Sequence, residues 1–303
     1  MTTPLAIPRP SPVRTWLMAS RPKTLTAAAI PVVVGTGVAL GHGVAHLWPA
    51  LAALIGALLI QIGTNFTNDY YDFKKGADTH ERLGPQRVTQ SGLLAPRTVL
   101  AAALLCFGLA IAVGTYLVWI GGWPIIAIGL LSVLSGYAYT GGPFPLGYNG
   151  LGDVFVFVFF GLVAVGGTYY VQALGLSPAV WPPAVAVGAL GTAILVTNNL
   201  RDISTDVKVG KRTLAVRFGA TAARAEYVLL LIIAFACPLV TVLTGQGSAW
   251  ALIALAAAPV AIPPLRRVLT QDGGALNPAL GGTARLQLVF GVLYAVGLWR
   301  AHG

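Results

Sequence analysis

"NFTNDYYDFKKGADT", residues 65–79, holds three of the nine acidic residues in a chain of 303. It follows "WPALAALIGALLIQIGT", residues 48–64, which carries no charge at all. A charge-free apolar run of this length predicts a helix that spans a membrane. If the helix continues one turn further, Asn68 and Asp72 lie four residues apart on one face, with Asp69 beside them. Oxygen donors gathered at a low-dielectric boundary need a counter-charge. The stretch therefore poses two questions: how many such helices there are, and what the acids hold.

Composition answers the first in outline. The chain is 56% hydrophobic and 9% charged, with a mean hydropathy of +0.78. A soluble domain carries roughly a quarter charged residues. The apolar runs are long and do not alternate, so helices are predicted in place of strands. Cys106 and Cys237 both fall inside apolar runs and read as small hydrophobes, without metal spacing or a disulfide framework. The proline-rich start lacks the apolar core of a cleavable signal.

Nine apolar stretches are predicted as spans: 24–41, 49–68, 98–118, 124–140, 153–173, 179–198, 225–244, 249–265 and 284–300. The eighth is expected to stop at Pro263-Pro264, since a helix interior disfavours proline. Residues 1–22 form an N-terminal segment and 23–303 one transmembrane domain. With nine crossings, every Lys and Arg except Arg300 falls on one side. Arg9, Arg14, Arg21 and Lys23 precede the first span, and Arg224 and Arg285 are assigned to loops. The excess of positive charge makes that side cytoplasmic, with the N-terminus in and the C-terminus out. Trp48, Trp119, Trp123, Trp181, Trp250 and Trp299 all fall near the outer ends, as an aromatic belt requires. The +10 net charge is thus a topology signal, and no nucleic-acid partner is implied.

The acids share the basic side, although the charge rule barely constrains Asp and Glu. A second cluster, "NNLRDISTDVKVGKRT" at 198–213, again sets an Asn (Asn198) four residues before an Asp (Asp202), with Asp206 four further on. Like charges at this spacing repel unless cations intervene. Mg²⁺ suits oxygen ligands shared with a phosphorylated substrate. Lys75, Arg82, Arg87, Arg201 and Lys211 stand in the same loops, and a P-loop or dinucleotide fingerprint is absent. A metal-bridged diphosphate fits this pattern.

Both motifs resemble the paired aspartate motifs of the UbiA-type intramembrane prenyltransferases. "RPKTLTAAAIPVVVG" (21–35), "GPQRVTQSGLL" (84–94) and "YTGGPFPLGYNGLGDVFVFVFFGLVAVGGTYYVQ" (139–172) resemble the branch that prenylates 1,4-dihydroxy-2-naphthoate in menaquinone synthesis. The resemblance implies an all-α integral membrane fold of nine helices around a central cavity. It implies about two Mg²⁺ ions bridging a polyprenyl diphosphate, and transfer to the naphthoate with loss of CO₂. It implies a place in the cell membrane among lipids, with the site opening to the cytoplasm. Asn68, Asp72, Asp202 and Asp206 match the metal-binding positions, with Asp69 and Asp78 as helpers. Asp69, Asp72, Asp202 and Asp206 are the expected catalytic acids. Asn65, Arg21, Lys23, Tyr70, Tyr71, Lys75, Arg82, Arg87, Tyr139, Asn198, Arg201 and Lys211 are the expected substrate contacts. Phe144 departs from the branch, which often has lysine there. Asp153 is expected to cap the helix it opens, and His80 to be a solvated loop residue.

Three other readings stay open on the residues alone. One is prenyl transfer to another aromatic, such as 4-hydroxybenzoate or homogentisate. Another is a transporter of a phosphorylated lipid, which would hold its acids near the membrane midplane. The third is a lipid diphosphate phosphatase, which would also use Mg²⁺ but release phosphate without an aromatic acceptor.

Overall fold

The computed structural model describes residues 10–78 and 82–300. Arg9, His80 and Glu81 lie outside the described residues. Among these residues every regular element is a helix. In chain order we name α1 (Pro12–Ser20), α2 (Pro22–Gly41), α3 (Leu47–Lys74), α4 (Pro96–Gly121) and α5 (Trp123–Ala138). They are followed by α6 (Gly152–Ala173), α7 (Trp181–Lys208), α8 (Leu214–Leu243), α9 (Ala249–Thr270) and α10 (Asn277–Trp299).

Eight of the described helices are long and apolar enough to cross a membrane, and α5, at 16 residues, is a shorter apolar one. The protein is a multi-pass membrane protein. Helix α7 is its hub: 72% of its apolar window is buried, against 22% for α3 and for α4, which face outward. Around α7 sit Ile30 and Val34 of α2, Tyr227 of α8, and Phe290 and Tyr294 of α10, all in one core cluster. Small residues allow close backbone approach where no solvent drives helices together. A Cβ on Gly37 of α2 would stand 2.8 Å from the Ala295 Cα of α10.

The structure corrects several expectations. The helix at 249–270 does not stop at Pro263-Pro264 but runs through both to Thr270. It starts as a 3₁₀ helix to Ala257. Local 3₁₀ winding and neighbouring helices offset the lost amide donors in a membrane, and Pro264 lies beside Gly282 of α10. Arg224 and Arg285 stand inside α8 and α10, not in loops, because both helices begin earlier than their apolar runs. The N-terminal segment contains α1, started by Ser11, whose hydroxyl accepts from Arg14 N–H at 3.3 Å. Asp153 is not a cap: Leu151 holds that position, and Asp153 lies buried in the first turn of α6 with Oδ1 making no hydrogen bond among the described residues.

Local irregularities interrupt the helices, one of them at Gly219 of α8, where the backbone leaves helical geometry (φ 82°, ψ 175°) and the helix kinks. Arg21 joins α1 to α2 in the left-handed region, with φ 51°, at a cost of roughly 1–2 kcal/mol for an L-residue. In α6 the helix widens into a π turn over Phe157–Val163, a feature common at functional sites.

Candidate active site

Helices α3 and α7 both overrun their apolar stretches. Each therefore carries its acidic motif on a continuous helix, as the four-residue spacing predicts. The two motifs meet. Lys211 Nζ lies 3.5 Å from Asp206 and 3.9 Å from Asp72. A cavity of about 460 Å³ opens between them. Its wall includes Asn68, Asp69, Asp72, Asn198, Asp202 and Asp206, with Arg21, Lys23, Arg82, Arg87, Arg201, Lys211 and Tyr139.

The first motif is sealed. Asp72 is 2% exposed; it accepts from Arg87 Nη2 at 2.9 Å and from the Tyr148 hydroxyl at 2.7 Å. Asp69 is 1% exposed, and its two oxygens accept the Val88 and Thr89 amides, each at 3.3 Å. Asn68 accepts from the Thr140 hydroxyl at 2.7 Å. Asp78 pairs with Arg82 and, at 3.5 Å, with Arg87. Burial nevertheless pushes the Asp78 carboxyl up to about 6, against the pull of Arg82. In the second motif Asp202 is balanced from its own helix, and Asp206 by Lys211 just beyond it. Arg201 forks onto both Asp202 oxygens, at 2.8 and 2.7 Å, and donates to Asn198 at 2.7 Å. Its third nitrogen reaches Asn277 at 2.9 Å.

Not every expected residue reaches this cavity. Tyr70 packs in the satellite cluster around Phe66 and Val88. Tyr71 turns toward α5 and bonds the Tyr137 hydroxyl. Lys75 donates to the Thr140 carbonyl at 2.7 Å and lies over the Tyr148 ring; burial lowers its pKa. Asp78 stands behind Arg82 and Arg87, off the cavity wall. Successive helical residues point about 100° apart, so neighbours of a motif residue face elsewhere. Asn65 acts at a joint: its amide donates to Ser20 O at 2.9 Å and Thr24 Oγ1 at 3.0 Å, clasping α1 to α2. Phe144 is 59% exposed and forms no part of the wall.

Sequence reading missed Tyr148, Thr140 and Asn277. The Tyr148 ring lies under two ammonium groups, Lys75 at 4.3 Å and Lys211 at 4.8 Å, while its hydroxyl holds Asp72. Burial, then Asp72, keeps that phenol protonated. The "GYNG" setting marks a turn but gives no sign of this contact.

Below the polar cavity the lining turns apolar. Asn68, Tyr139, Val156 and Phe160 also border a chamber of about 250 Å³ between α2, α3, α5 and α6. That chamber shares Ala57, Ile60, Ser132, Phe159 and Ala164 with another of about 410 Å³ reaching α4. The π turn of α6 supplies both phenylalanines at these junctions.

A basic, carboxylate-lined cavity that continues into apolar chambers within a helical membrane bundle defines a site for an anionic headgroup on a long apolar tail. The chain belongs to the UbiA prenyltransferase family, whose pattern matches residues 28–296. It is 42% identical over 281 residues to the 1,4-dihydroxy-2-naphthoate octaprenyltransferase of Mycobacterium tuberculosis, covering 92% of this chain and 95% of that protein. It is 38% identical to the Escherichia coli protein of the same name, over 95% and 96% of the two chains. A UbiA homolog from Archaeoglobus fulgidus, solved bound to GPP and Mg²⁺, shares the fold: TM-score 0.60, 17% identity, 91% of this chain and 98% of that one.

Proposed function

We propose that the chain transfers a long-chain polyprenyl group from its diphosphate to 1,4-dihydroxy-2-naphthoate, giving demethylmenaquinol, the reduced form of demethylmenaquinone, with CO₂ and diphosphate. The observation that carries this reading is the single Lys211 ammonium between Asp72 and Asp206. It brings both aspartate motifs to one cavity and marks a place for positive charge between them. The names of the relatives supply the acceptor.

The donor set fits Mg²⁺ only with substrate present. Among the described residues no three His, Cys, Asp or Glu side chains are gathered closely enough to hold an ion unaided. The motifs instead face each other with room between. That suits Mg²⁺, which commonly takes one or two carboxylates and completes its shell with substrate phosphates and water. Asn68, Asp72, Asp202 and Asp206 would hold it, one ion per motif. When bound, Mg²⁺ neutralises charge growing on the departing diphosphate.

The remaining steps fall to the chain. Arg87, Arg201 and Lys211 are already within ion-pairing range of the motif acids, and Arg21, Lys23 and Arg82 line the same cavity. Burial lowers the pKa of Arg21, and its Nη2 makes no hydrogen bond among the described residues. A diphosphate entering this cavity would be met by preorganised donors. The allylic C–O bond breaks and its electron pair leaves with diphosphate. The ring carbon bearing the carboxylate forms the new C–C bond. Loss of CO₂ returns an electron pair to the ring and restores its aromaticity. Phe160 and Tyr139 border the apolar chamber, where water that would quench the cation is excluded. The tail runs past Phe159 toward lipid.

The topology belongs to the same reading. With α5 as a ninth crossing, the cavity opens on the side bearing nearly all the lysines and arginines, the cytoplasmic face of the cell membrane. The motif acids lie at helix ends and not at mid-span, which disfavours the transporter. The test is product formation in reconstituted membranes, with the naphthoate, a long prenyl diphosphate and Mg²⁺. Prenylated quinol and CO₂, both abolished by EDTA, are expected. Diphosphate release with 4-hydroxybenzoate or homogentisate, but not with the naphthoate, would replace the acceptor. No metal-dependent turnover would overturn the reading.

A further inference from the structure

We infer that Asp69 is a positioning residue, not a metal ligand: it caps the turn that carries Arg87 and thereby sets where that guanidinium stands. Residues 87–94 form a compact turn after the segment 82–86. The Ser91 amide closes onto the Arg87 carbonyl at 3.1 Å and the Gly92 amide onto that of Thr89 at 3.1 Å. The amides that open such a turn have no partner within it. Those of Val88 and Thr89 point at Asp69, one to each carboxylate oxygen. A carboxylate satisfying the first free amides of a helical turn is an N-cap, supplied here from a different helix.

The surroundings lock this arrangement. Val88 is 1% exposed and packs with Phe66, Ala19 and Val99, so the turn is fastened to α3 by an apolar contact as well as by Asp69. Arg87, immediately before the two capped amides, then extends to Asp72 at 2.9 Å and Asp78 at 3.5 Å. Asp69 and Asp72 are three residues apart on α3, so one turn of helix anchors the loop and receives its arginine. At its other end the loop is tied by Asn277, whose amide donates to the Leu83 carbonyl at 2.8 Å. Asn277 also holds Arg201. The segment thus links both motifs, and Asp69 is its fixed point under the first.

The inference deepens the proposed reaction and rests on it only for the kinetic arm of its test. Asp69→Asn keeps the shape but replaces one acceptor by an NH₂ group that faces a backbone amide. The full chain in lipid is expected to show a KM for prenyl diphosphate raised about tenfold, with kcat changed less than about threefold. Hydrogen exchange is expected to speed up at Val88 and Thr89. Mn²⁺ binding, titrated by electron spin resonance with inorganic diphosphate, should keep the wild-type stoichiometry. In a double-mutant cycle with Arg87→Gln, the pair should be no worse than Arg87→Gln alone to within about twofold, since both act through one guanidinium. Loss of bound Mn²⁺, or multiplicative losses in the cycle, would return Asp69 to the metal site and overturn the inference. If the wild type transfers no prenyl group, the proposed reaction fails, while the exchange and Mn²⁺ measurements still decide the role of Asp69.

Discussion

The ends of α3 and α7 look alike in sequence and differ in how they are held. Each presents an Asn and an Asp four residues apart at one mouth of the bundle. At α7 the neutralising charge comes from the adjacent residue: Arg201 clamps Asp202, whose side chain keeps 15% of its exposure. At α3 it comes from other parts of the chain. Arg87, Tyr148 and the 88–89 amides converge on acids whose side chains are almost closed to solvent, Asp72 at 3%. At α7 the clamp on Asp202 lies within one helix turn and the carboxylate keeps some contact with water, while Lys211 reaches Asp206 from beyond the helix; at α3 the acids are held by two loops. A buried ion pair stands or falls with its partner, whereas a wetter one is buffered by water. The motif at α3 should therefore couple activity to fold stability, and that at α7 should separate them.

The largest expected effects test the likeness. Asp72→Ala and Asp202→Ala should each lower kcat/KM by about 10³-fold or more, the scale on which a transition-state charge stabiliser is lost. Melting temperature in detergent should separate them. Asp72→Ala takes the acceptor from Arg87 and Tyr148 together, leaving Arg87 only Asp78 at 3.5 Å, and should melt well below Asp202→Ala, which leaves Arg201 its hydrogen bonds to Asn198 and Asn277. Equal melting temperatures would remove the distinction between the two motifs.

Next come the arginines. Arg87→Ala leaves Asp72 and Asp78 without their shared guanidinium and should cost about 3–5 kcal/mol of stability, the scale of a broken buried pair. Arg201→Ala leaves Asp202 in partial contact with water, and about 1.5–3 kcal/mol is expected from the lost charge-assisted hydrogen bonds. Denaturation in mixed micelles measures both. A reversed order would mean that burial at α3 is not what holds that motif.

The same contrast explains what the sequence disclosed. The helix ends, the paired donors and their common side follow from periodicity and apolar length, both local properties. Asn68, Asp72, Asp202 and Asp206 were legible for that reason. So was the Arg201–Asp202 neighbourhood, which a single helix turn contains. Tyr148 and Thr140 were not, because their contacts join residues more than sixty positions apart through loops without periodicity. Tyr70 and Tyr71 stand beside motif residues in the chain but face away from the polar cavity, toward the Phe66–Val88 cluster and α5, while Asn65 clasps α1 and α2 and borders the apolar chamber. Pro263 and Pro264 do not end their helix, because α10 packs against it there, with Gly282 beside Pro264.

The smallest expected effect falls on Tyr148, where the two motifs touch. Its hydroxyl serves Asp72, and its ring lies under Lys211, the ammonium shared with Asp206. Tyr148→Phe removes the first contact and keeps the second. A hydrogen bond to a charged group is worth about 1.5–3 kcal/mol, so a roughly tenfold to hundredfold loss in kcat/KM is expected. Tyr148→Leu removes the ring as well. It forfeits about 0.5–2 kcal/mol more of cation–π attraction, and Lys211 loses the surface that holds it between the acids. If the two variants are equally impaired, only the Asp72 hydrogen bond matters and the motifs communicate through Lys211 without help from the ring. If Tyr148→Leu is clearly worse, and Lys211→Met erases the difference, the ring positions the cation that joins the buried motif to the open one.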